Sequence, residues 1–174
     1  MFYLSYHKSH KSGETTSDES KAGVEHSSLF GDKLGWYVKT DLESDRLEEI
    51  DLRTTTAGGV KYAILNRVNQ ELSARSGFAF RHEKFDNGSS LDGPAMDFGI
   101  DHAYRLTPRL SVVSELDYVP SIEDFGDYRI SQDTGLEVPL TKGGRWKLRM
   151  GFANDYNSRP ATSKENLDLR YYSR

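Results

Sequence analysis

From about residue 33 onward the chain alternates apolar and polar residues with a period of two, and that repeat confines it to β-sheet. Leu72, Ala74, Ser76, Phe78 and Phe80 oppose Glu71, Ser73, Arg75, Gly77, Arg81 and Glu83. Met96, Phe98, Ile100 and Tyr104 oppose Asp97, Gly99, Asp101 and Arg105. Leu110, Val112, Leu116 and Tyr118 oppose Ser111, Glu115 and Asp117, and Tyr128, Ile130, Leu136 and Val138 oppose Arg129, Asp133 and Glu137. The pattern is cleanest where Trp146, Leu148, Met150, Phe152 and Tyr156 face away from Lys147, Arg149 and Asp155. It ends with Leu167, Leu169 and Tyr171 against Asp168 and Arg170. Residues 2–12 and 20–30 are weaker strands, and Leu34 to Leu42 and Ile50 to Ile64 two more. Ten strands are expected in a single domain over 1–174.

Alternation does not say which face is wet. A soluble sheet buries its apolar face and solvates the charged one. Here Gly77, Gly99, Gly135 and Gly151 all fall mid-strand on the charged face. Glycine belongs where space is tight, as in a narrow lumen and not on an open surface. Tyr104, Tyr118, Tyr128, Trp146 and Tyr156 stand near strand ends on the apolar face, where an interfacial aromatic girdle would lie. Most strands also reach the nine to eleven residues that cross a bilayer when tilted. The expected fold is therefore an antiparallel up-and-down transmembrane β-barrel of about ten strands, within a range of about 8–12. The 36% apolar and 29% charged residues and the mean hydropathy of −0.70 then average a greasy wall and a charged interior.

The connections carry a second signal. Short turns are expected at Gly31-Asp32, Asn66–Asn69, Thr107–Arg109 and Thr141–Gly144. Longer polar loops are expected at Gly13–Glu19, Asp86–Pro94, Pro120–Gly126 and Asn157–Lys164. In a meander this puts short turns at one end and long loops at the other, as in outer-membrane barrels. The first residues show no basic segment followed by an apolar one, so no secretory signal is read there. The end at Tyr171–Arg174 lacks a terminal Phe, so the chain is expected to stop short of an assembly signal.

Ile50-Asp51-Leu52-Arg53 with Gly58-Gly59-Val60-Lys61-Tyr62 resembles a domain-of-unknown-function family described as salt-induced outer-membrane proteins. Leu72–Phe78, Asp127-Tyr128-Arg129, Asn154–Pro160 and Leu167–Tyr171 extend the resemblance over about residues 33–174. The resemblance implies a β-barrel in the outer membrane of a Gram-negative bacterium, with outer-membrane lipid and the barrel-assembly machinery as partners. It supplies no catalytic residues, and a link to salt or envelope stress rests on the family's description alone.

Candidate sites follow from the charged face. Its expected lumen-lining residues are Arg75, Arg81, Asp97, Asp101, Arg105, Glu115, Asp117, Arg129, Asp133, Glu137, Lys147, Arg149, Asp155, Asp168 and Arg170. Confined charges must pair, so cross-strand Arg–carboxylate contacts should fill the interior of a narrow or occluded barrel that admits at most an ion or small solute. Zero cysteines remove disulfides and thiolate metal sites. A net charge of −4 argues against nucleic acid. His102 beside Asp101, or His82 near Ser76, are the candidate catalytic histidines, but adjacent strand residues face opposite ways. His7 and His10 likewise face apart, the loop acids Asp86, Asp92, Glu123, Asp124 and Asp127 match no calcium loop, and Gly58-Gly59 precedes no helix. No enzyme activity, metal or cofactor is expected. The rival readings are a soluble lipocalin-like barrel, which needs an apolar interior, and an outer-membrane lipid-modifying or proteolytic enzyme, which needs His with Ser or Asp at one rim.

Overall fold

The computed structural model describes residues 2–11, 14–45, 50–85, 88–141, 147–159 and 167–173. Ten strands follow one another: β1 (Phe2–Lys11), β2 (Glu14–Leu29), β3 (Leu34–Asp45), β4 (Ile50–Arg67), β5 (Gln70–Phe85), β6 (Ser90–Thr107), β7 (Leu110–Pro120), β8 (Tyr128–Pro139), β9 (Lys147–Asn157) and β10 (Leu167–Ser173). They form one sheet in sequence order, and each neighbouring pair is antiparallel. The described residues contain no helix long and apolar enough to cross a membrane.

Two expected boundaries need correction. The loops placed at Gly13–Glu19 and Asp86–Pro94 are largely strand, because β2 begins at Glu14 and β6 at Ser90. Polar β-strands give little periodic signal when both faces are wet, so their composition reads as loop. Of the turn expected at Thr141–Gly144, all but Thr141 lies outside the described residues. The asymmetry of the two ends persists in another form. Strands β4 to β6 run 16 to 18 residues, and their extra length projects past β7 and β8 at the loop end. There Ala95 still meets Ser121, and the Ile122 amide donates to Pro94 O at 3.0 Å.

The sheet is strongly curled. Side chains of β3 reach β6, β7 and β8: Tyr37 to Asp97, Lys39 to Asp117, and Glu43 to Arg129. Two cross-strand glycine pairs allow the curl. Gly59 faces Gly77 between β4 and β5, and Gly135 faces Gly151 between β8 and β9. A Cβ on Gly59 would lie 2.2 Å from Ser76 O, and one on Gly151 would lie 2.2 Å from Thr134 O. Only glycine admits so close a backbone approach, and such pairs are where a sheet bends sharply.

Burial is inverted relative to an ordinary soluble sheet. Lys39, Glu43, Arg53, Arg75, Glu83 and Asp97 are buried, with Asp97 wholly inaccessible. Among the described residues the buried apolar cluster is Tyr37, Ala57, Ala79 and Ala95, backed by Val119. Meanwhile Val38, Val60, Phe78, Phe80, Ile100, Leu116 and Met150 are all exposed, Phe78 at 70%. The concave face is charged and the convex face is greasy.

Candidate functional site

The interior charges gather in layers, because the register stacks inward-facing positions of neighbouring strands side by side. The central layer is built on Asp97. Its carboxylate accepts from Tyr37 Oη at 2.6 Å and from Arg75 Nε at 3.2 Å, and it meets Lys39 Nζ at 2.7 Å. Lys39 also reaches Asp117 at 3.1 Å. Arg75 joins Asp97, Asp101 (3.3 Å) and Asp117, and its guanidinium stands 5.9 Å from the centre of the Tyr37 ring. Lys61 meets Asp101 at 2.7 Å and Glu25 at 3.9 Å. Asp101 and Glu115 are directly opposite in the β6–β7 register. Like charges so placed repel, and Arg75 and Lys39 offset that repulsion.

Small residues make room for these long ones. Ala57, Gly59, Gly77, Ala79, Ala95 and Gly99 line the inner face of β4 to β6. A Cβ on Gly77 would come within 2.6 Å of the Tyr37 hydroxyl, and one on Gly99 within 2.4 Å of the Arg75 guanidinium. The mid-strand glycines thus act as seats for the buried ring and guanidinium.

A second layer lies toward the loop end and alternates in sign. Arg81 reaches Glu83 at 3.4 Å, Arg53 bridges Glu83 (2.9 Å) and Glu43 (3.2 Å), and Arg129 bridges Glu43 (3.0 Å) and Asp155 (3.4 Å). Arg170 closes on the same Asp155. Arg81 also holds Asp127 at the end of the β7–β8 link, at 2.5 Å. Between β8 and β10, Arg149 donates to Asp133 at 2.7 Å and Tyr172 meets that carboxylate too. Charges taken out of water need this degree of pairing to be tolerated.

The sequence-derived positions distribute as follows. Arg75, Asp97, Asp101, Glu115 and Asp117 share the central layer, while Arg81, Arg129, Asp155 and Arg170 share the outer one. Asp133, Glu137 and Arg149 form a third group. Arg105, Lys147 and Asp168 stand apart as exposed residues: Arg105 donates to Val68 O at 3.2 Å, Lys147 pairs with Glu137 at 2.9 Å, and Asp168 pairs with Arg170 at 3.4 Å. Sequence reasoning omitted Glu25, Tyr37, Lys39, Glu43, Arg53 and Lys61. A signal for several was present: Trp36, Val38 and Leu42 mark the outer parity of β3, which assigns Tyr37, Lys39 and Glu43 to the other face.

On the convex face Tyr118, Tyr128 and Tyr156 form a row with Phe98 across β6 to β9, ring centres 5.7 to 6.1 Å apart. Tyr104 lies at the opposite end, and Trp146 lies outside the described residues. Among the described side chains the histidines do not gather: His82 contacts Asp92, and His102 Nε2 lies 3.2 Å from Gln70 Nε2, both on outward positions, while the side chains of His7 and His10 lie outside that set. In the β7–β8 link, the Gly126 amide and then Arg159 hold the Asp124 carboxyl below its ordinary value. That latch is complete above the unfolded carboxyl's pKa and is lost as pH falls through the lower folded one.

Chemically, the arrangement fastens opposing walls and fills the space between them with fixed, paired charge. No curated protein matches the chain. A family model does match, over residues 2–172, and the chain belongs to the family described as protein of unknown function DUF481.

Proposed function

We propose that the protein is an outer-membrane β-barrel whose lumen is occluded by paired charge, serving as a structural element or a narrow ion path. The observation that carries this reading is the inverted burial: Asp97 and Arg75 are enclosed while Phe78 and its neighbours face outward. An apolar convex surface on this scale needs a covering, and lipid supplies it around a full ring of strands. In this reading β1 and β10 meet to close the ring, which also removes the two free edges. The barrel-assembly machinery inserts it. A lipocalin-like barrel would carry its apolar face inside, the reverse of what the sheet does. Any path through the central layer favours cations, because Glu25, Asp97, Asp101, Glu115 and Asp117 face Lys39, Lys61 and Arg75. A role under salt or envelope stress is consistent with such a barrel and rests on the family resemblance.

The full-length product should sediment with outer membrane and show heat-modifiable gel mobility. Its planar-bilayer conductance should be far below that of a general diffusion porin. Recovery in the soluble fraction without detergent overturns the lipid-facing wall, and porin-sized conductance overturns the occlusion. The wall has its own mutational check. Phe78 sits mid-strand, so Phe78→Arg should destabilise the lipid-inserted form by about 2–4 kcal/mol, measured by urea unfolding from vesicles.

A further inference from the structure

The rim formed by the links β2–β3, β4–β5, β6–β7 and β8–β9 has a composition that the barrel reading leaves unexplained. Each link or its flank presents one large apolar side chain to solvent: Phe30 at 62% exposure, Val68 at 91%, Leu106 at 49% and Leu140 at 62%. Interspersed with them are the exposed cations Lys33, Arg67, Arg105 and Arg109. None of these four holds an ion pair among the described residues. Among the described residues the acids at this rim are Asp32, Glu71 and Glu137, and Glu137 is paired with Lys147. The opposite rim is the reverse, with exposed Asp51, Asp92, Glu123 and Asp124 against Lys84 and Arg159. Among the described residues the two rims thus carry opposite excesses of exposed charge.

We infer that the short-turn rim seats in the headgroup layer of an anionic phospholipid leaflet, its four apolar tips entering the interface and its four cations meeting lipid phosphates. This rests on the reading of the convex wall as lipid-facing. Two observations favour a lipid surface over a protein partner. The apolar tips belong to four separate turns spread around the rim, so they form no single patch that a shaped partner could grip; a fluid planar surface accommodates them singly. Trp36, Tyr62 and Tyr104 stand on the outer face just inside this rim, at the level aromatic residues take at a membrane interface. Residues one turn beyond that level fall among the headgroups, where guanidinium and ammonium groups bind anionic lipid. The opposite rim also carries exposed Ile122 and Phe125 and the Tyr118, Tyr128 and Tyr156 row, but its exposed charge is mainly acidic, so it would face away from an anionic leaflet.

The test uses the full chain refolded into vesicles of phosphatidylcholine mixed with phosphatidylglycerol, with Val68→Trp as the reporter in a Trp36→Phe, Trp146→Phe background. Headgroup-labelled quenchers on either lipid read the local composition around position 68, and heat-modifiable mobility with protease protection reads insertion independently. The phosphatidylglycerol quencher should be about twofold or more as effective as the phosphatidylcholine one. Adding Lys33→Gln, Arg67→Gln, Arg105→Gln and Arg109→Gln together should bring that ratio to unity while insertion is retained. Full insertion with equal quenching in the parent reporter overturns the anionic-lipid assignment. Full insertion with no quenching overturns it too, and places the rim in water, where an acidic protein partner fits. Failure to insert into either vesicle overturns the lipid-facing wall itself.

Discussion

Replacing Arg75 by methionine is expected to lower the unfolding free energy by about 3–5 kcal/mol, the range for stranding buried charge. Three carboxylates lose a partner at once, since Arg75 contacts Asp97, Asp101 and Asp117. Its side chain is 1% exposed, so water cannot replace it. Arg75→Lys should recover only part of the loss, because an ammonium cannot reproduce the planar fork that spans three acids. Arg149→Met supplies the contrast: its side chain is 20% exposed and pairs mainly with Asp133, so its cost should stay near about 1 kcal/mol. Urea-unfolding midpoints of the folded chain decide the order. Equal stabilities for the Arg75 and Arg149 variants would mean that the central layer is hydrated and fastens nothing.

The second large effect is expected from a single methyl group. Gly59→Ala and Gly151→Ala each place a Cβ against backbone, 2.2 Å from Ser76 O and from Thr134 O respectively. Side-chain rotation cannot relieve either contact. The cost should exceed the about 1–3 kcal/mol of ordinary overpacking, because the strand pair itself must separate. Gly99→Ala first meets the Arg75 guanidinium, a side chain and not backbone, and Gly31→Ala meets nothing within 4 Å. Heat-modifiable mobility should therefore be lost at 59 and 151, weakened at 99 and unchanged at 31. Uniform tolerance would show that the bends do not depend on glycine.

How far the sequence was legible depends on the contrast between the two faces of each strand. Strands β5 to β9 could be drawn to within a few residues, because Phe78, Ile100, Leu116 and Met150 alternate with Arg75, Asp97, Asp117 and Arg149. Residues 14–18 and 90–94 could not, since Glu14-Thr15-Thr16-Ser17-Asp18 has no apolar face to mark and its pairing with β1 is held by backbone bonds. Glycine on the charged face was the informative clue, and it indicated crowding before any neighbour was known. It could not name the tenants: that Tyr37 fills the notch at Gly77 depends on the register that sets Tyr37 beside Gly59 and Gly59 beside Gly77, which no local pattern encodes. The rim residues Arg105 and Lys147 share parity with the interior, but parity carries no height, and they end up exposed.

The reach of β3 across the sheet has a consequence for assembly. Its contacts join residues 60, 78 and 86 positions apart in the chain, whereas each hairpin joins near neighbours. Lys39 thus emerges long before Asp97 and Asp117, and Glu43 long before Arg129, with only Arg53 of the next strand to meet Glu43 early. Strand-by-strand insertion from the N-terminus would carry bare charge into hydrocarbon, at a cost of several kcal/mol for each ion. For the proposed membrane barrel, the early strands must keep their concave face in water until β8 is in place, so the interior sets late and as a unit. Topology of this kind slows folding, and it makes the last third of the chain the step that commits the first.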